Sequence, residues 1–149
     1  MEIETKNFGQ IEIDEDKIIN FNQEILGFEE YQEFTLIESE DESVFLWLQS
    51  INEPSLAFML VNPFLFANDY EVDLSKDQLE KIEAGEDSEV YVYTLVVVEE
   101  ETKALRTNLK APVIINSDNK QAGQFVLKED YPTKYYILKD GDKTAEMSG

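Results

Sequence analysis

The sequence contains neither cysteine nor histidine among its 149 residues. Without cysteine, the chain can form no disulfide bond and no thiolate nucleophile, and cysteine usage cannot indicate its compartment. Without histidine, it cannot build a Ser-His-Asp or Cys-His arrangement, and it lacks the commonest general base. Zinc would have to be held by carboxylates alone, which is unusual in proteins. These two absences argue against nucleophilic hydrolysis and against a zinc site.

The chain is also poor in positive charge, with 12 Lys and Arg against 33 Asp and Glu, for a net charge of −21. Nucleic acids and anionic membranes bind clustered Lys and Arg, so we expect neither as a direct partner. A basic protein is the natural complement, because opposite charge steers the encounter between two proteins. The alternative is that the acidic residues only keep the protein soluble.

Motifs for nucleotides, calcium and export are absent as well. The sequence has neither a G-x-x-x-x-G-K-S/T loop nor a G-x-G-x-x-G fingerprint, and its acidic runs lack the spacing of a calcium loop. We therefore predict no metal and no cofactor, and we keep a carboxylate-based enzyme of unknown substrate as an alternative. The N-terminal "MEIETKNFGQIEIDED" lacks the basic and apolar regions of a signal peptide, so we expect a cytoplasmic protein.

Short apolar segments with the alternation of β-strands occupy most of the chain. The N-terminal segment predicts two strands joined near Gly9, and "KIINF", "EFTLIE", "PVIIN", "GQFVLK" and "KYYILK" predict further strands. The strongest signal is Glu89–Glu101, "EVYVYTLVVVEEE", which is apolar on both faces and predicts a central strand covered on both sides. A single short helix of about ten residues is predicted in "DLSKDQLEKIEAG", with a capping box from Ser75 to Gln78 and a stop at Gly85.

An almost uncharged stretch, "FLWLQSINEPSLAFMLVNPFLF", runs from Phe45 to Phe66 and holds the only tryptophan. Polar residues and two prolines interrupt it, which excludes a membrane-spanning helix. It predicts a central hairpin whose "INEPS" loop is its only exposed part. With about nine strands and one helix, the sequence predicts a mostly β fold. We expect a small closed or nearly closed antiparallel β-barrel with one or two short helices, and an open sandwich is the alternative.

Several motifs follow one another along the chain. They are "WLQS" at Trp47–Ser50, "LAF" at Leu56–Phe58, "NPFLFANDYEVDL" at Asn62–Leu74 and "TNLKAPVIIN" at Thr107–Asn116, preceded by "IETKNFGQIEID" and "GFEEYQEFTLIE". As an ordered set, they resemble the flagellar assembly factor family FliW from about Met1 to Lys139. The resemblance implies one FliW-like β-barrel domain over residues 1–139, followed by a flexible polar tail over 140–149.

The resemblance also implies a non-catalytic protein with two partners in the bacterial cytoplasm. One is flagellin before its export, and the other is CsrA, a small dimeric RNA-binding translational repressor. When flagellin is secreted, the freed protein is expected to bind CsrA away from its RNA face, as an allosteric antagonist, and so relieve repression of flagellin synthesis. A direct acidic mimic of RNA is the alternative. The dense acidic charge predicts a monomer when no partner is bound.

Candidate partner-binding residues combine exposed aromatic groups with neighbouring acid, since buried anchors supply affinity and rim charges supply association rate. They are Glu99, Glu100, Glu101, Tyr131, Tyr135 and Tyr136. In "YPTKYYI", Tyr131 and Thr133 match the common ending of the family, whereas Tyr135 and Tyr136 stand where the family commonly has His and Pro.

Overall fold

A computed structural model gives the fold, and it describes residues 1–23, 25, 27–38, 44–85 and 87–138. Lys139 and the polar tail predicted over 140–149 lie outside the described residues, and the single domain predicted over 1–139 stays a prediction. The described part holds no helix with the length and apolar character needed to cross a membrane.

Eleven strands, one α-helix and two 3₁₀ turns form the regular structure of the described residues. The strands are β1 (Glu2–Thr5), β2 (Gly9–Glu12), β3 (Ile19–Gln23), β4 (Glu33–Glu38), β5 (Phe45–Ser50), β6 (Ala57–Val61), β7 (Val90–Val98), β8 (Leu105–Thr107), β9 (Val113–Asn116), β10 (Gln121–Gln124) and β11 (Tyr135–Leu138). The helix is α1 (Lys76–Lys81), and the 3₁₀ turns are Glu15–Lys17 and Pro63–Leu65. Strand β4 has the bounds that the sequence predicted, whereas the three-residue β8 was not foreseen.

Seven of the strands close into a hydrogen-bonded ring. Going round it, the order is β7, β6, β5, β4, β3, β10 and β9, and β9 pairs again with β7. Strands β8 and β11 extend from the C-terminal end of β7, and β1 and β2 form a separate hairpin. The predicted mostly β, closed architecture is therefore confirmed. One pairing departs from the prediction, because β3 and β10 run parallel, whereas the other neighbours are antiparallel.

Apolar side chains fill the inside of the ring, because every second residue of each strand points inward. The buried members of this core are Ile19, Phe21, Ile25, Phe34, Leu48, Leu60, Val113, Ile115 and Ala122. The side chain of Phe34 is fully buried. The centroid of its aromatic ring lies 5.3 Å from that of Phe21 and 6.0 Å from that of Phe58. Removal of this apolar surface from water is the main force that holds the ring together.

Three smaller apolar clusters lie outside this core, and two of them pack on strands of the ring. Helix α1 and the residues after it bring Ile82 against Ile114 of β9 and Phe125. The added strands β8 and β11 bring Leu105 and Ile137 against Val96 of β7. These two clusters cover outward-facing residues of β7 and β9.

The predicted central strand β7 is covered only in its middle. Thr94 is fully buried, but Tyr91, Val97 and Val98 are each 44% exposed. The prediction that the whole strand is covered on both sides is therefore wrong at its ends. At both ends β7 extends past β6, which pairs only with Thr94–Val96.

The central hairpin is confirmed, with β5 and β6 paired across the "INEPS" loop. The prediction that this loop is the only exposed part of the stretch is wrong, because Phe64 is 42% exposed and Leu65 is 57% exposed. Trp47 is half-buried, and the ring of Phe8 from the N-terminal hairpin packs edge-on against it at 6.1 Å.

Helix α1 begins as the sequence predicted but ends early. Ser75 accepts from the Gln78 amide, and the Gln78 side chain accepts from the Ser75 amide, which completes the capping box. The helix has six residues rather than about ten, because Glu83 takes a left-handed conformation with φ of 53°. The Asn116 side chain donates to the carbonyl oxygens of Ile82 and Glu83, and this fixes the helix end before Gly85 is reached.

Candidate protein-binding surface

The turn between β7 and β8 carries the predicted acidic run. It is closed by the Glu99 amide, which donates to the Ala104 carbonyl at 2.9 Å, and by the Lys103 amide, which donates to the Glu99 carbonyl at 2.9 Å. Glu100 and Glu101 are exposed at its tip. Because the flanking strands β7 and β8 are paired, the acidic side chains project from a turn whose two ends are fixed.

A shallow groove of about 370 Å³ lies beside this turn. Its lining residues are Val97, Val98, Glu99, Glu100, Glu101, Thr102 and Arg106. Exposed valines near carboxylates suit a Lys or Arg side chain, whose aliphatic stem packs on apolar surface while its charge meets the acid.

Tyr136 joins the same surface through the pairing of β11 with β8. The register sets Tyr136 opposite Arg106 and Arg106 opposite Val97, so these three side chains form a row across the strands. The Tyr136 hydroxyl donates to Glu99 Oε2 at 3.3 Å, and this hydrogen bond raises the pKa of Tyr136. Arg106 Nε lies 3.7 Å from the same oxygen, as an ion pair. We call Val97, Glu99–Glu101, Arg106 and Tyr136 the acidic face.

Tyr131 and Tyr135, the other two candidates, lie elsewhere. Successive residues of a strand point to opposite sides, so Tyr135 faces away from Tyr136. The Tyr135 hydroxyl donates to the Phe66 carbonyl at 3.0 Å, and the Tyr131 hydroxyl accepts from the Glu71 amide at 3.0 Å. The structure thus brings Tyr136 and Glu99–Glu101 together and gives Tyr131 and Tyr135 a structural contact with another segment.

That segment, Asn62–Glu71, is called the clamped turn here. Inside it, the Asn62 side chain accepts from the Phe64 amide at 3.0 Å, and the Ala67 amide donates to the Pro63 carbonyl at 2.9 Å. The turn presents Phe64 and Leu65 to solvent. Sequence reasoning missed this surface, although Asn followed by Pro at the start of "NPFLF" is a signal for a turn rather than a continued strand.

Tyr70 anchors the clamped turn to the rest of the protein. Its side chain is buried, and its hydroxyl donates to the Leu109 carbonyl at 2.7 Å. Its ring lies 4.7 Å from that of Tyr131 and 5.6 Å from that of Phe64. Burial, followed by the neighbouring Tyr131, raises the pKa of Tyr70 above the ordinary value.

We expect Tyr70→Phe to lower the free energy of unfolding by about 1–2 kcal/mol at neutral pH, because the Leu109 carbonyl loses its donor. The raised pKa predicts that the unfolded chain releases this proton first, so stability falls as pH rises above about 10. The variant should lose that part of the alkaline dependence. Urea unfolding at several pH values measures both effects, and an unchanged alkaline slope in the variant would contradict the assignment.

The chain is similar to known proteins over nearly its full length. The family model described as FliW protein matches residues 2–137. The chain is 43% identical to the flagellar assembly factor FliW of Alkaliphilus metalliredigens, over 99% of this chain and 93% of that protein. It is 40% identical to the flagellar assembly factor FliW of Treponema denticola, over 93% of this chain and 94% of that protein.

A solved structure agrees with these sequence matches. It is described as the crystal structure of the flagellar assembly factor FliW, and it superposes with a TM-score of 0.84 at 34% sequence identity. The match covers 95% of this chain and 100% of the other. Matches in sequence and in fold over nearly the full length confirm the resemblance, and the chain belongs to the FliW family of flagellar assembly factors.

Proposed function

We propose that this protein acts in flagellar assembly as a non-catalytic, protein-binding regulator in the bacterial cytoplasm. It binds flagellin before export and, when freed by flagellin secretion, binds the translational repressor CsrA. CsrA then releases its RNA, and synthesis of flagellin resumes. Membership of the FliW family supports the assembly role, because the relatives are named flagellar assembly factors.

The observation that carries the proposal is the acidic face. Glu100 and Glu101 are exposed beside Val97 and Val98, and the whole chain carries a net charge of −21. CsrA must carry basic residues to hold RNA phosphates, so the two proteins have complementary charge. Apolar surface next to carboxylates also matches the anatomy of protein interfaces, in which desolvated groups give affinity and charged rims give rate.

A non-catalytic role agrees with the interior of the ring. Packed apolar side chains such as Phe34, Leu48 and Leu60 fill the interior that these strands enclose, which leaves no room for a substrate there. Carboxylate-based catalysis also needs one acid with a strongly raised pKa in a cleft. The carboxylates of the acidic face instead lie beside a shallow groove that is open to solvent.

The proposed effect on RNA is allosteric rather than competitive. Bound away from the RNA face, a chain of net charge −21 repels phosphates through space without occupying their site. A direct mimic of RNA would instead compete for the same basic groove. The two mechanisms differ in one binding measurement, because allostery permits a ternary complex and mimicry forbids it.

The experiment is a titration of the purified protein against CsrA and flagellin of the same organism, with labelled flagellin-message RNA added to the CsrA complex. We expect binding to each protein, a ternary complex at saturating RNA, and weaker RNA affinity within that complex. Light scattering of the unbound protein should report a monomer. Absence of binding to both proteins would disprove the function, and strict competition with RNA would favour the mimic.

Charge reversal at the acidic face tests whether its carboxylates speed the association with CsrA. We expect Glu100→Lys with Glu101→Lys to lower the association rate with CsrA by roughly tenfold at low salt, because rim charges act mainly on encounter. The matched control is Asp77→Lys with Glu80→Lys on α1, which changes the net charge equally at exposed positions. Stopped-flow binding at several salt concentrations measures both. Equal losses in the two variants would assign steering to the overall charge instead.

A further inference from the structure

The clamped turn holds two large apolar side chains out in water. Phe64 is 42% exposed and Leu65 is 57% exposed, and they are consecutive residues of one 3₁₀ turn. A short connection that only joined two elements could be made of polar residues, which would avoid exposing apolar surface. Clustered apolar exposure on a rigid element is typical of a protein-binding anchor.

The turn is rigid because hydrogen bonds fix it from within and from outside. Within it, the Leu65 amide donates to the Asn62 carbonyl at 3.2 Å, and the Phe66 amide donates to the Pro63 carbonyl at 3.1 Å. From outside, Tyr131 accepts from the Glu71 amide and Tyr135 donates to the Phe66 carbonyl. A side chain presented on such a fixed backbone loses little conformational entropy when it binds, and this favours tight contact.

Acidic residues lie in the same turn as the two apolar side chains and in a segment that contacts this turn. Asp69 and Glu71 belong to the turn itself, and Asp130 precedes the Tyr131 that contacts it; all three carboxylates are exposed. Like charges would repel a second copy of this chain at the same surface. The surface is therefore complementary to a partner that combines an apolar depression with a rim of Lys and Arg.

We propose that Phe64 and Leu65 form the apolar anchor through which this protein docks on CsrA, in a pocket rimmed by basic side chains, with Asp69 and Glu71 facing that rim. This inference rests on the proposed binding to CsrA. Of the two proposed partners, CsrA is assigned because RNA-binding proteins are rich in Lys and Arg, which also places basic side chains outside the RNA face. The clamped turn and the acidic face lie against opposite sides of β11, since Tyr135 contacts Phe66 and Tyr136 contacts Glu99.

The test replaces Leu65 by serine and measures the affinity for CsrA. We expect Leu65→Ser to weaken binding at least tenfold, mainly through faster dissociation, because loss of an anchor acts on the bound complex. The matched control is Val126→Ser, which makes a similar apolar-to-polar change at a residue that is 54% exposed. Asp69→Lys with Glu71→Lys should instead slow association at low salt.

The outcomes separate this inference from the proposed function. If the wild type binds CsrA and Leu65→Ser binds equally well, the anchor is wrong while the function stands. Loss of flagellin binding with intact CsrA binding would overturn the choice of partner.

If the wild type binds neither protein, the proposed function fails. The anchor is then tested by NMR with a synthetic amphipathic helix of leucine and lysine. Shifts centred on Phe64, Leu65, Asp69 and Glu71 would support an anchor for a basic apolar partner. Shifts centred elsewhere would overturn it.

Discussion

Replacing Phe34 by alanine is expected to lower the free energy of unfolding by about 3–5 kcal/mol. Phe34 lies on β4 inside the ring, is fully buried, and contacts the rings of Phe21 on β3 and Phe58 on β6. The alanine variant loses the transfer free energy of the ring and leaves a cavity that neighbouring strands cannot close, because hydrogen bonds fix their spacing. Domains of this size have total stabilities of about 5–15 kcal/mol, so the loss is a large part of the whole.

Urea unfolding followed by circular dichroism measures this loss as a lower midpoint. The matched control is Phe64→Ala, the same chemical change at a side chain that is 42% exposed. We expect it to lower stability by less than about 1 kcal/mol, because much of that ring remains in water in the folded state. Equal losses of unfolding free energy in the two variants would contradict the distinction between buried Phe34 and exposed Phe64.

The second large effect is expected from Gly123→Ala, at the closure of the ring. Gly123 is buried on β10, and a Cβ atom there would lie 2.6 Å from Gln23 Cβ and 2.9 Å from Phe125 Cζ. Gln23 Cβ belongs to the paired strand β3 and cannot rotate away, so β3 and β10 would have to separate. Overpacking of this kind typically destabilises a protein by about 1–3 kcal/mol.

Gly85→Ala is the control for this prediction. A Cβ atom at Gly85 would meet no atom within 4 Å, and the residue lies in an exposed segment after α1. We expect unchanged or slightly higher stability, since alanine reduces the entropy of the unfolded chain. Differential scanning calorimetry compares both variants with the wild type. A stable Gly123→Ala protein with an unchanged melting temperature would show that β3 and β10 are not closely packed.

Local chemistry explains which predictions from the sequence are confirmed. The alternation in "EFTLIE" gave the bounds of β4, and Ser75 with Gln78 gave the start of α1, because strand pattern and capping depend on neighbouring residues. The end of α1 was misjudged, because Asn116, which is distant in sequence, binds the carbonyl groups of Ile82 and Glu83 just after the helix. Strand β8 was missed because three residues are too short to show a period.

Some residues of the candidate binding surface could likewise be predicted from the sequence, whereas the contacts between them could not. The acidic run Glu99–Glu101 could be found from the sequence, because charge density is a local property. The period of two along a strand already separates Tyr135 from Tyr136, so treating them as one surface overlooked a rule that the sequence supports. The contact of Tyr136 with Glu99 across β8 could not be foreseen, since it depends on the pairing of β11 with a strand that was not predicted.

By itself, the sequence determined the β-rich composition, the charge of −21, the absence of histidine and cysteine chemistry, and the ordered motifs of the FliW family. Tertiary structure decided how the ring closes, through β7 with β9 and through the parallel pairing of β3 with β10. It also decided that Phe64 and Leu65 face water while Phe34 is buried. These outcomes depend on contacts between residues distant in sequence, whose free energy appears only when the whole core packs, and no local pattern specifies which apolar residues that core will exclude.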